Sequence, residues 1–305
     1  MRIVSVLPSA TEIVCALDHG KDLVGRSEEC DFPPEVKRLP IVMKARTRDG
    51  ELPSKAIDSR VQQTLNRDES LYELDLGLLR KLAPDLLLTQ DLCRVCSVTE
   101  EEVAAACRSA GIAPRVLSLT PTSLEGVWDS LRQVSLAIGA EREAAALLAD
   151  LRARSRPPGG GQRKPAPRVA VIEWLHPPIL AGLWTPDVVR SAGGEPLGST
   201  SGNPGIRTTW EELARWRPDL VVLSPCSFGV KRTLRELEDP GLRRKVEGVA
   251  PARGTWILDE AYFSRPGPRL VEGIRILRVL LDPARRDELH GVSGISPFLL
   301  AGSTS

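Results

Sequence analysis

The chain has 305 residues, and its 41 lysines and arginines almost balance its 40 aspartates and glutamates, which leaves a formal net charge of +1. At roughly 150 residues per domain, this length predicts two domains, each large enough to bury a core. The hydrophobic content of 42% with 27% charged residues excludes a disordered chain. The near-neutral charge argues against a dedicated nucleic-acid or anionic-membrane binder, and no apolar run reaches the ~20 residues of a transmembrane helix.

The start of the chain bears on its location. Met1 and Arg2 lead directly into the buried-strand pattern of residues 3–7, which Pro8 closes. A secretory leader would place a basic start, an apolar stretch and a cleavage site of small residues before the first strand. We therefore expect a cytoplasmic protein whose cysteines are mostly reduced.

The first part of the chain alternates strands and helices. Continuous apolar strands that follow helices indicate a parallel sheet covered on both faces. Residues 44–70 are polar and weakly patterned, which predicts a long surface excursion. The predicted elements are a strand at 2–7, a helix at 12–17, a strand at 23–25, a helix at 75–82, a strand at 85–89, a helix at 99–110 and a strand at 115–119.

A long helix separates two halves of the chain. Residues 122–155 carry apolar side chains at helical spacing, and the Pro- and Gly-rich residues 156–167 are typical of a flexible linker. Strands are predicted again at 168–174 and 219–223, with helices at 186–192 and 209–216. The predicted domains are an N-terminal α/β lobe (1–121), a connecting helix (122–155), a linker (156–167), a C-terminal α/β lobe (168–290) and a tail (291–305).

The two halves share one pattern. Residues 82–89 and residues 216–224 each contain the end of a helix, then Pro-Asp, then a buried strand. A loop with a cysteine follows each of them, Cys93 in the first half and Cys226 in the second. Because ligands of such lobes bind beyond the carboxyl ends of the strands, we expect two related lobes that face each other across a cleft.

Several motifs, taken in order, resemble a known family. They are Leu7-Pro8-Ser9-Ala10-Thr11-Glu12, Val24-Gly25-Arg26-Ser27, Asp31-Phe32-Pro33-Pro34, Pro84-Asp85-Leu86, Pro177-Pro178, Ala192-Gly193-Gly194, Pro218-Asp219-Leu220, Tyr262-Phe263, Arg265 and Pro268-Arg269. Over about residues 2–282 the chain resembles the iron-siderophore and cobalamin-type substrate-binding proteins (class III, with a helical backbone), most of all their cobalamin-binding branch. The resemblance implies two Rossmann-like lobes with parallel sheets, joined by one long rigid helix. It also implies a non-enzymatic protein that holds a corrinoid-like or other metal-containing molecule in the cleft between the lobes.

Candidate ligand-binding residues lie in the predicted strand-end loops. Aromatic rings there could stack on a large planar ligand, or could instead cap the core of each lobe. The resemblance places Glu29 and Gln90 where aromatic contacts to a corrin are expected, and Arg265 could pair with an anionic group of a ligand or with a neighbouring acid. The candidates are Pro8, Ser9, Glu29, Asp31, Gln90, Trp174, Trp184, Phe228, Tyr262, Phe263 and Arg265.

The six cysteines form two groups. Cys15 and Cys107 lie in apolar helical segments and are expected in the core. The other four, Cys30, Cys93, Cys96 and Cys226, lie in strand-end loops, with His176 as a further candidate ligand. The spacing of Cys93 and Cys96 suits a Zn or Fe site, a redox pair or simple loop packing. The alternative function is therefore a cytosolic thiolate–metal protein or a metal-dependent enzyme that reuses this fold; Glu29 and Asp31, beside Cys30, could contribute to it or lie in a solvated loop.

The resemblance also implies a permease of an ABC transporter as partner. Members of the family offer one acidic residue per lobe to the permease, and the second-lobe position corresponds to Glu211 at a helix start. The first-lobe position corresponds to Gly77, and this departure, with the expected cytoplasmic location, argues against docking. Neither a nucleic-acid partner nor membrane insertion is expected, and motifs such as GxSxG, the Walker loop and HExxH do not occur.

Overall fold

The protein is described by a computed structural model, which covers residues 1–46, 52–67, 69–92, 98–157 and 165–299. The described chain divides into two compact units. The first unit comprises Met1–Leu52, Ala56–Pro121 and Glu125–Asp150. The second unit comprises Pro53–Lys55, Thr122–Leu124 and the chain from Leu151 onward. No helix in the described ranges is both long and apolar enough to cross a membrane.

The first unit is built on a six-stranded sheet with the order β4-β3-β2-β1-β5-β6. All neighbouring strands are parallel except β3 and β4. The strands are β1 (Ile3–Ser5), β2 (Leu23–Ser27), β3 (Ile41–Ala45), β4 (Tyr72–Leu74), β5 (Leu86–Thr89) and β6 (Arg115–Ser118). The helices between residues 8 and 155 are α1 (Pro8–Ala16), α2 (Ser54–Asn66), α3 (Leu76–Leu82), α4 (Glu100–Ala110), α5 (Leu124–Ile138) and α6 (Glu141–Ser155).

The core of the first unit lies around its central strands. Val4 of β1 and Leu87 of β5 are fully buried and pack with Leu79 of α3 and Val103 of α4. Strands with helices on both faces must be apolar on both sides, which explains why β5 is buried at every position. The uninterrupted apolar run in the sequence follows from this placement.

The second unit is built on a seven-stranded sheet. Its main path is β10-β8-β7-β11-β12-β13, and β9 pairs with β7. The central strands β7, β11 and β12 are parallel, whereas β8, β10 and β13 run antiparallel to their neighbours. The strands are β7 (Arg168–Leu175), β8 (Pro178–Leu180), β9 (Glu195–Pro196), β10 (Ile206–Arg207), β11 (Leu220–Leu223), β12 (Thr255–Leu258) and β13 (Ile295–Leu299). The helices are α7 (Thr185–Ala192), α8 (Trp210–Trp216), α9 (Val230–Glu236), α10 (Pro240–Glu247) and α11 (Leu270–Leu280).

The repeated Pro-Asp pattern has the same structural role in both units. The Asp85 carboxylate accepts a hydrogen bond from the Arg2 backbone N–H at 2.7 Å, and the Asp85 N–H donates to the Arg2 carbonyl at 2.8 Å. Asp219 makes the same two bonds with Arg168, at 2.7 and 2.8 Å. Each aspartate therefore fastens the start of the unit's first strand to the start of the strand beside it.

The connecting helix differs from its prediction. Residues 122–155 form two helices, α5 and α6, with Gly139 between them at φ +74°. The Ala140 N–H donates to the Ser135 carbonyl at 2.9 Å, the bond that closes a helix with a glycine in the left-handed region. The apolar spacing continues across this break, which is why the sequence predicts a single helix.

Two further segments carry more structure than their sequences indicate. The predicted surface excursion at 44–70 contains the end of β3 and the helix α2. The predicted tail after residue 290 contributes β13, an edge strand antiparallel to β12. The helix α2 is amphipathic and largely exposed, and the short strand β13 is placed by its pairing with β12.

Candidate functional site

The loops after β1, β2 and β5 lie at one edge of the first sheet, because these strands are parallel. Pro8, the first residue of α1, is half-buried, whereas Ser9 and Gln90 are buried. Glu29 and Asp31, in the loop after β2, are exposed. Of the candidates at this edge, the two carboxylates are therefore the side chains that face solvent.

Arg26 organises the loop after β2. It is buried, and one of its terminal nitrogens donates to the carbonyls of Ser27, Glu28 and Cys30 at 2.9, 3.1 and 3.1 Å. The other terminal nitrogen donates to the Lys37 carbonyl at 3.1 Å. One guanidinium thus holds both ends of the loop, a role that sequence reasoning did not assign to it.

Phe32 in the same loop was also missed as a candidate. Its side chain is 41% exposed, although large aromatic residues are usually well buried. Its position directly before Pro33-Pro34, in a strand-end loop, is the sequence signal that could have identified it. The loop after β2 therefore exposes the Phe32 ring next to Asp31.

Cys30 belongs to the core of the first unit. Its side chain is fully buried, and its Sγ lies 3.1 Å from the Thr11 hydroxyl and donates to the Ser5 carbonyl at 3.8 Å. The Thr11 hydroxyl also lies 2.9 Å from the Ser5 hydroxyl. These contacts favour the packing interpretation of this thiol over the metal-ligand one.

Of the other three loop cysteines, only Cys226 lies in the described part of the chain. Cys93 and Cys96 lie outside the described residues, and Cys226 of the second unit is half-buried with its Sγ 3.5 Å from the Ser264 hydroxyl. Within the described ranges no three His, Cys, Asp or Glu side chains are grouped so that they could hold a metal ion. His176, half-buried, follows β7 directly.

The two helical thiols are protected from ionisation. Burial raises the pKa of Cys107. Burial, and then the charges of Glu12 and Glu35, raise the pKa of Cys15 to about 11. Cys107 is buried as predicted, whereas Cys15 is only half-buried.

In the second unit, the strands β7, β11 and β12 end at a common edge, where an aromatic pair lies. The rings of Trp174 and Phe228 are tilted by 50° with their centroids 5.4 Å apart. The Arg232 guanidinium lies 4.7 Å from the Phe228 centroid and is paired with Glu236 at 3.0 Å. Phe228 is buried beneath these partners, whereas Trp174 is half-buried.

The other candidates at this edge are engaged within the unit. The Trp184 indole N–H donates to the Phe263 carbonyl at 2.6 Å, and both rings are buried. The half-buried Tyr262 donates its hydroxyl proton to the Ser293 carbonyl at 3.0 Å. Trp184 and Phe263 therefore follow the core-capping alternative.

Arg265 forms an ion pair inside the second unit. Its Nε and a terminal nitrogen lie 2.8 and 2.7 Å from the Glu260 carboxylate, and each side chain is 11% exposed. The pairing with a neighbouring acid, one of the two predicted alternatives, is thus the one that the structure contains.

Glu211 and Gly77 occupy equivalent positions in the two units. Each is the second residue of the helix that precedes the Pro-Asp pattern, α8 for Glu211 and α3 for Gly77, and both are exposed. Thr209 caps α8 together with Glu212, whose pKa is lowered by hydrogen bonds from the Thr208 hydroxyl and the Thr209 N–H. Only one of the two equivalent positions therefore carries an acid.

Comparisons with known proteins agree on one architecture, although no family model matches the chain. A vitamin B12-binding protein of Pectobacterium carotovorum subsp. carotovorum (strain PC1) is 24% identical over 277 residues, which cover 88% of this chain and 84% of that protein. A periplasmic heme binding protein from Pseudomonas aeruginosa has a TM-score of 0.66 at 22% identity, with 99% of this chain and 98% of that chain covered. This chain has the fold of the periplasmic substrate-binding proteins.

A second solved structure leads to the same result. The periplasmic vitamin B12 binding protein of Vibrio cholerae has a TM-score of 0.61 at 19% identity, with 93% of this chain and 98% of that chain covered. The predicted resemblance and the predicted class, two α/β lobes of the Rossmann type, are confirmed.

The predicted cytoplasmic location is wrong. The substrate-binding proteins that share this fold are described as periplasmic, and they point to an exported protein. The prediction depended on how the sequence begins, and the first residues of a sequence are weaker evidence of location than the compartment of its relatives. The argument against permease docking that relied on this location is removed with it.

Proposed function

We propose that the protein is the substrate-binding component of an ABC transporter and that its ligand is a corrinoid. The observation that carries the proposal is the similarity to a vitamin B12-binding protein over 88% of the chain. Binding without chemistry is part of the proposal, since the similar proteins are described as binding proteins. The placement of the ligand in a cleft between the lobes stays a prediction of the sequence.

Trp174 is the proposed ligand contact of the second unit. Flat rings stack on planar ligands at low entropic cost, and Trp174 is the half-buried member of the aromatic pair. Phe228 supports it from below and is in turn fixed by Arg232, whose charge Glu236 neutralises. The Trp174 indole N–H is buried and has no hydrogen-bond partner among the described residues, which leaves it available as a donor to a ligand.

The chemistry of the first unit favours a corrinoid over heme. Its strand-end loop presents Glu29, Asp31 and the open ring of Phe32. The carboxylates would repel the propionate groups of heme, whereas they can accept hydrogen bonds from the neutral amide side chains of a corrinoid.

The ligand is tested by titrating the purified protein with cyanocobalamin and, separately, with hemin. We expect cyanocobalamin to bind with a Kd of about 1 μM or lower, seen as quenching of tryptophan fluorescence and by calorimetry, and to be recovered chemically unchanged. Trp174→Leu should weaken binding about tenfold or more, since an aromatic stacking contact is lost. The matched control is Trp256→Phe, a buried tryptophan outside the aromatic pair, which should bind as the parent does.

Three outcomes would count against this assignment. Tighter binding of hemin than of cyanocobalamin would overturn the choice of a corrinoid. If neither cyanocobalamin nor hemin bound at roughly 100 μM, the proposal that the ligand is a macrocycle would be wrong. Equal affinities of Trp174→Leu and the parent would remove Trp174 from the site.

Glu211 is the proposed contact to the permease. It is exposed in the first turn of α8 and takes no part in the capping box that Thr209 and Glu212 form. In the cell that produces the protein, Glu211→Gln should slow corrinoid-dependent growth while the Kd for cyanocobalamin stays unchanged. Unchanged growth would assign the docking to other surface residues.

A further inference from the structure

A pocket of about 300 Å³ lies beside β12 and β13 in the second unit. Its apolar walls are Trp256, Leu289, Ile295 and Pro297. Ile295 and Pro297 alternate along β13 and so share one face, while Phe298 packs against the core on the other face. None of the residues of this Trp256 pocket belongs to the proposed corrinoid site, and its volume is at the lower end for small-molecule pockets.

A guanidinium lies over the indole in this pocket, within cation–π distance. The Arg286 Cζ lies 5.6 Å from the Trp256 ring centroid, and one terminal nitrogen donates to the Arg253 carbonyl at 2.6 Å. The Trp256 indole N–H donates to the same carbonyl at 3.4 Å. The Arg253 carbonyl therefore accepts hydrogen bonds from both side chains and holds the guanidinium near the indole.

The arginines beside this pocket carry charge that no ion pair neutralises in the described ranges. Neither Arg286 nor Arg253 is ion-paired in the described part of the chain, and the Nε of each is buried without a hydrogen-bond partner. Burial, and then the charge of Arg253, lower the pKa of Arg286. Two half-buried cations that repel each other next to an apolar pocket are the electrostatic complement of an anion.

The rim of the pocket limits the charge that an anion can carry. Asp287 and His290 stand at the rim 4.0 Å apart, and their side chains are 95% and 86% exposed. Water screens the Asp287 carboxylate at this exposure, so that a single negative charge deeper in the pocket is tolerated. A dianion would bring a second negative charge towards Asp287 and would lose more hydration than a carboxylate on entering an apolar pocket.

We propose that the Trp256 pocket is a second binding site, for a small organic monoanion with a flat apolar body, of the aromatic carboxylate class. The carboxylate pairs with the exposed end of the Arg286 guanidinium, and the flat body lies against Leu289, Ile295 and Pro297. The site is independent of the corrinoid site, because it shares no residue with it.

The test uses benzoate as the probe and the indole N–H signal of Trp256 in ¹H–¹⁵N NMR spectra as the readout, assigned with Trp256→Phe. We expect benzoate to shift this signal saturably with a Kd of about 1 mM or lower. The neutral benzyl alcohol and the dianion phenyl phosphate should bind about tenfold more weakly. Saturation by benzyl alcohol at the same concentration, or no saturable shift with benzoate below ~20 mM, would overturn the proposal.

Variants separate the guanidinium from its neighbours. Arg286→Met should weaken benzoate binding about tenfold, and Arg286→Lys, which keeps the charge, should weaken it less. The control is Arg285→Gln, which should leave the Kd unchanged. Arg285 is exposed on the 3₁₀-helix Pro283–Leu289 that also carries Arg286, and it is paired with Glu288 at 2.7 Å. Asp287→Asn should tighten binding. Equal binding by Arg286→Met and the parent would overturn the proposal, whereas unchanged cyanocobalamin binding by Arg286→Met is expected and separates this site from the proposed function.

Discussion

The strand-end edges of the two units are built on the same backbone plan and carry different chemistry. Asp85 and Asp219 fasten their strands with equal bonds, and the helices before them begin at equivalent positions. The edge of the first unit nevertheless presents carboxylates, while that of the second presents an aromatic pair backed by an ion pair. The difference teaches that a repeated backbone frame leaves its loops free to carry different side chains.

The largest expected effect tests whether each unit has a core of its own. Leu87→Ala in β5 and Leu223→Ala in β11 each remove a fully buried side chain and should each lower the free energy of unfolding by about 2–5 kcal/mol. Hydrogen–deuterium exchange should accelerate most in the sheet that carries the substitution. Equal acceleration in both sheets after either change would mean that the two cores do not act as separate stability units.

The next effect tests the equivalence of the two Pro-Asp patterns. Asp85→Ala and Asp219→Ala each remove a carboxylate that accepts a backbone N–H at 2.7 Å, and each should cost about 1–2 kcal/mol. Denaturant midpoints at neutral pH measure the change, with Asn at each position as the variant that keeps an acceptor. If only one of the two substitutions lowered the stability, the two patterns would share their geometry but not their contribution to the free energy of unfolding.

The smallest effect concerns a thiol of the first unit. With a pKa of about 11 against an ordinary 9.0, Cys15 should react with iodoacetamide at pH 8 about a hundredfold more slowly in the folded protein than in urea. Because the folded state holds this proton more tightly, the stability that it contributes is complete below pH 9 and is lost as the pH rises from about 9 towards 11. Site-resolved mass spectrometry measures the rate, and equal rates in both states would contradict the raised pKa.

Local signals in the sequence were sufficient to predict many of the helices and strands. The start of α4 is predictable because Thr99 and Glu102 form a capping box, and the strands after Pro84-Asp85 and Pro218-Asp219 are predictable because they are continuous apolar runs. The helix α2 and the strand β13 could not be found in this way, because an exposed amphipathic helix and a short edge strand have weak patterns of their own.

The candidate site was predictable only as a set of loops. Trp174 lies near the end of β7 and Trp184 follows β8, yet Trp174 is half-buried whereas Trp184 is buried and donates its indole N–H to the Phe263 carbonyl. Cys30 lies in the expected loop, but its side chain turns inward to Ser5 and Thr11. A loop position in a sequence does not specify which way a side chain points.

The sequence by itself determined that the chain forms two α/β units, because hydrophobic periodicity, caps and Pro-Asp strand starts are local properties of neighbouring residues. Only the tertiary structure decided which side chains are available to a ligand. Glu260 forms an ion pair with Arg265, and the buried Arg26 shapes the loop of Glu29 and Asp31. Arg286 lies over Trp256 without an ion pair among the described residues. Burial, charge compensation and hydrogen-bond satisfaction depend on residues distant in the chain, and only folding brings those residues together.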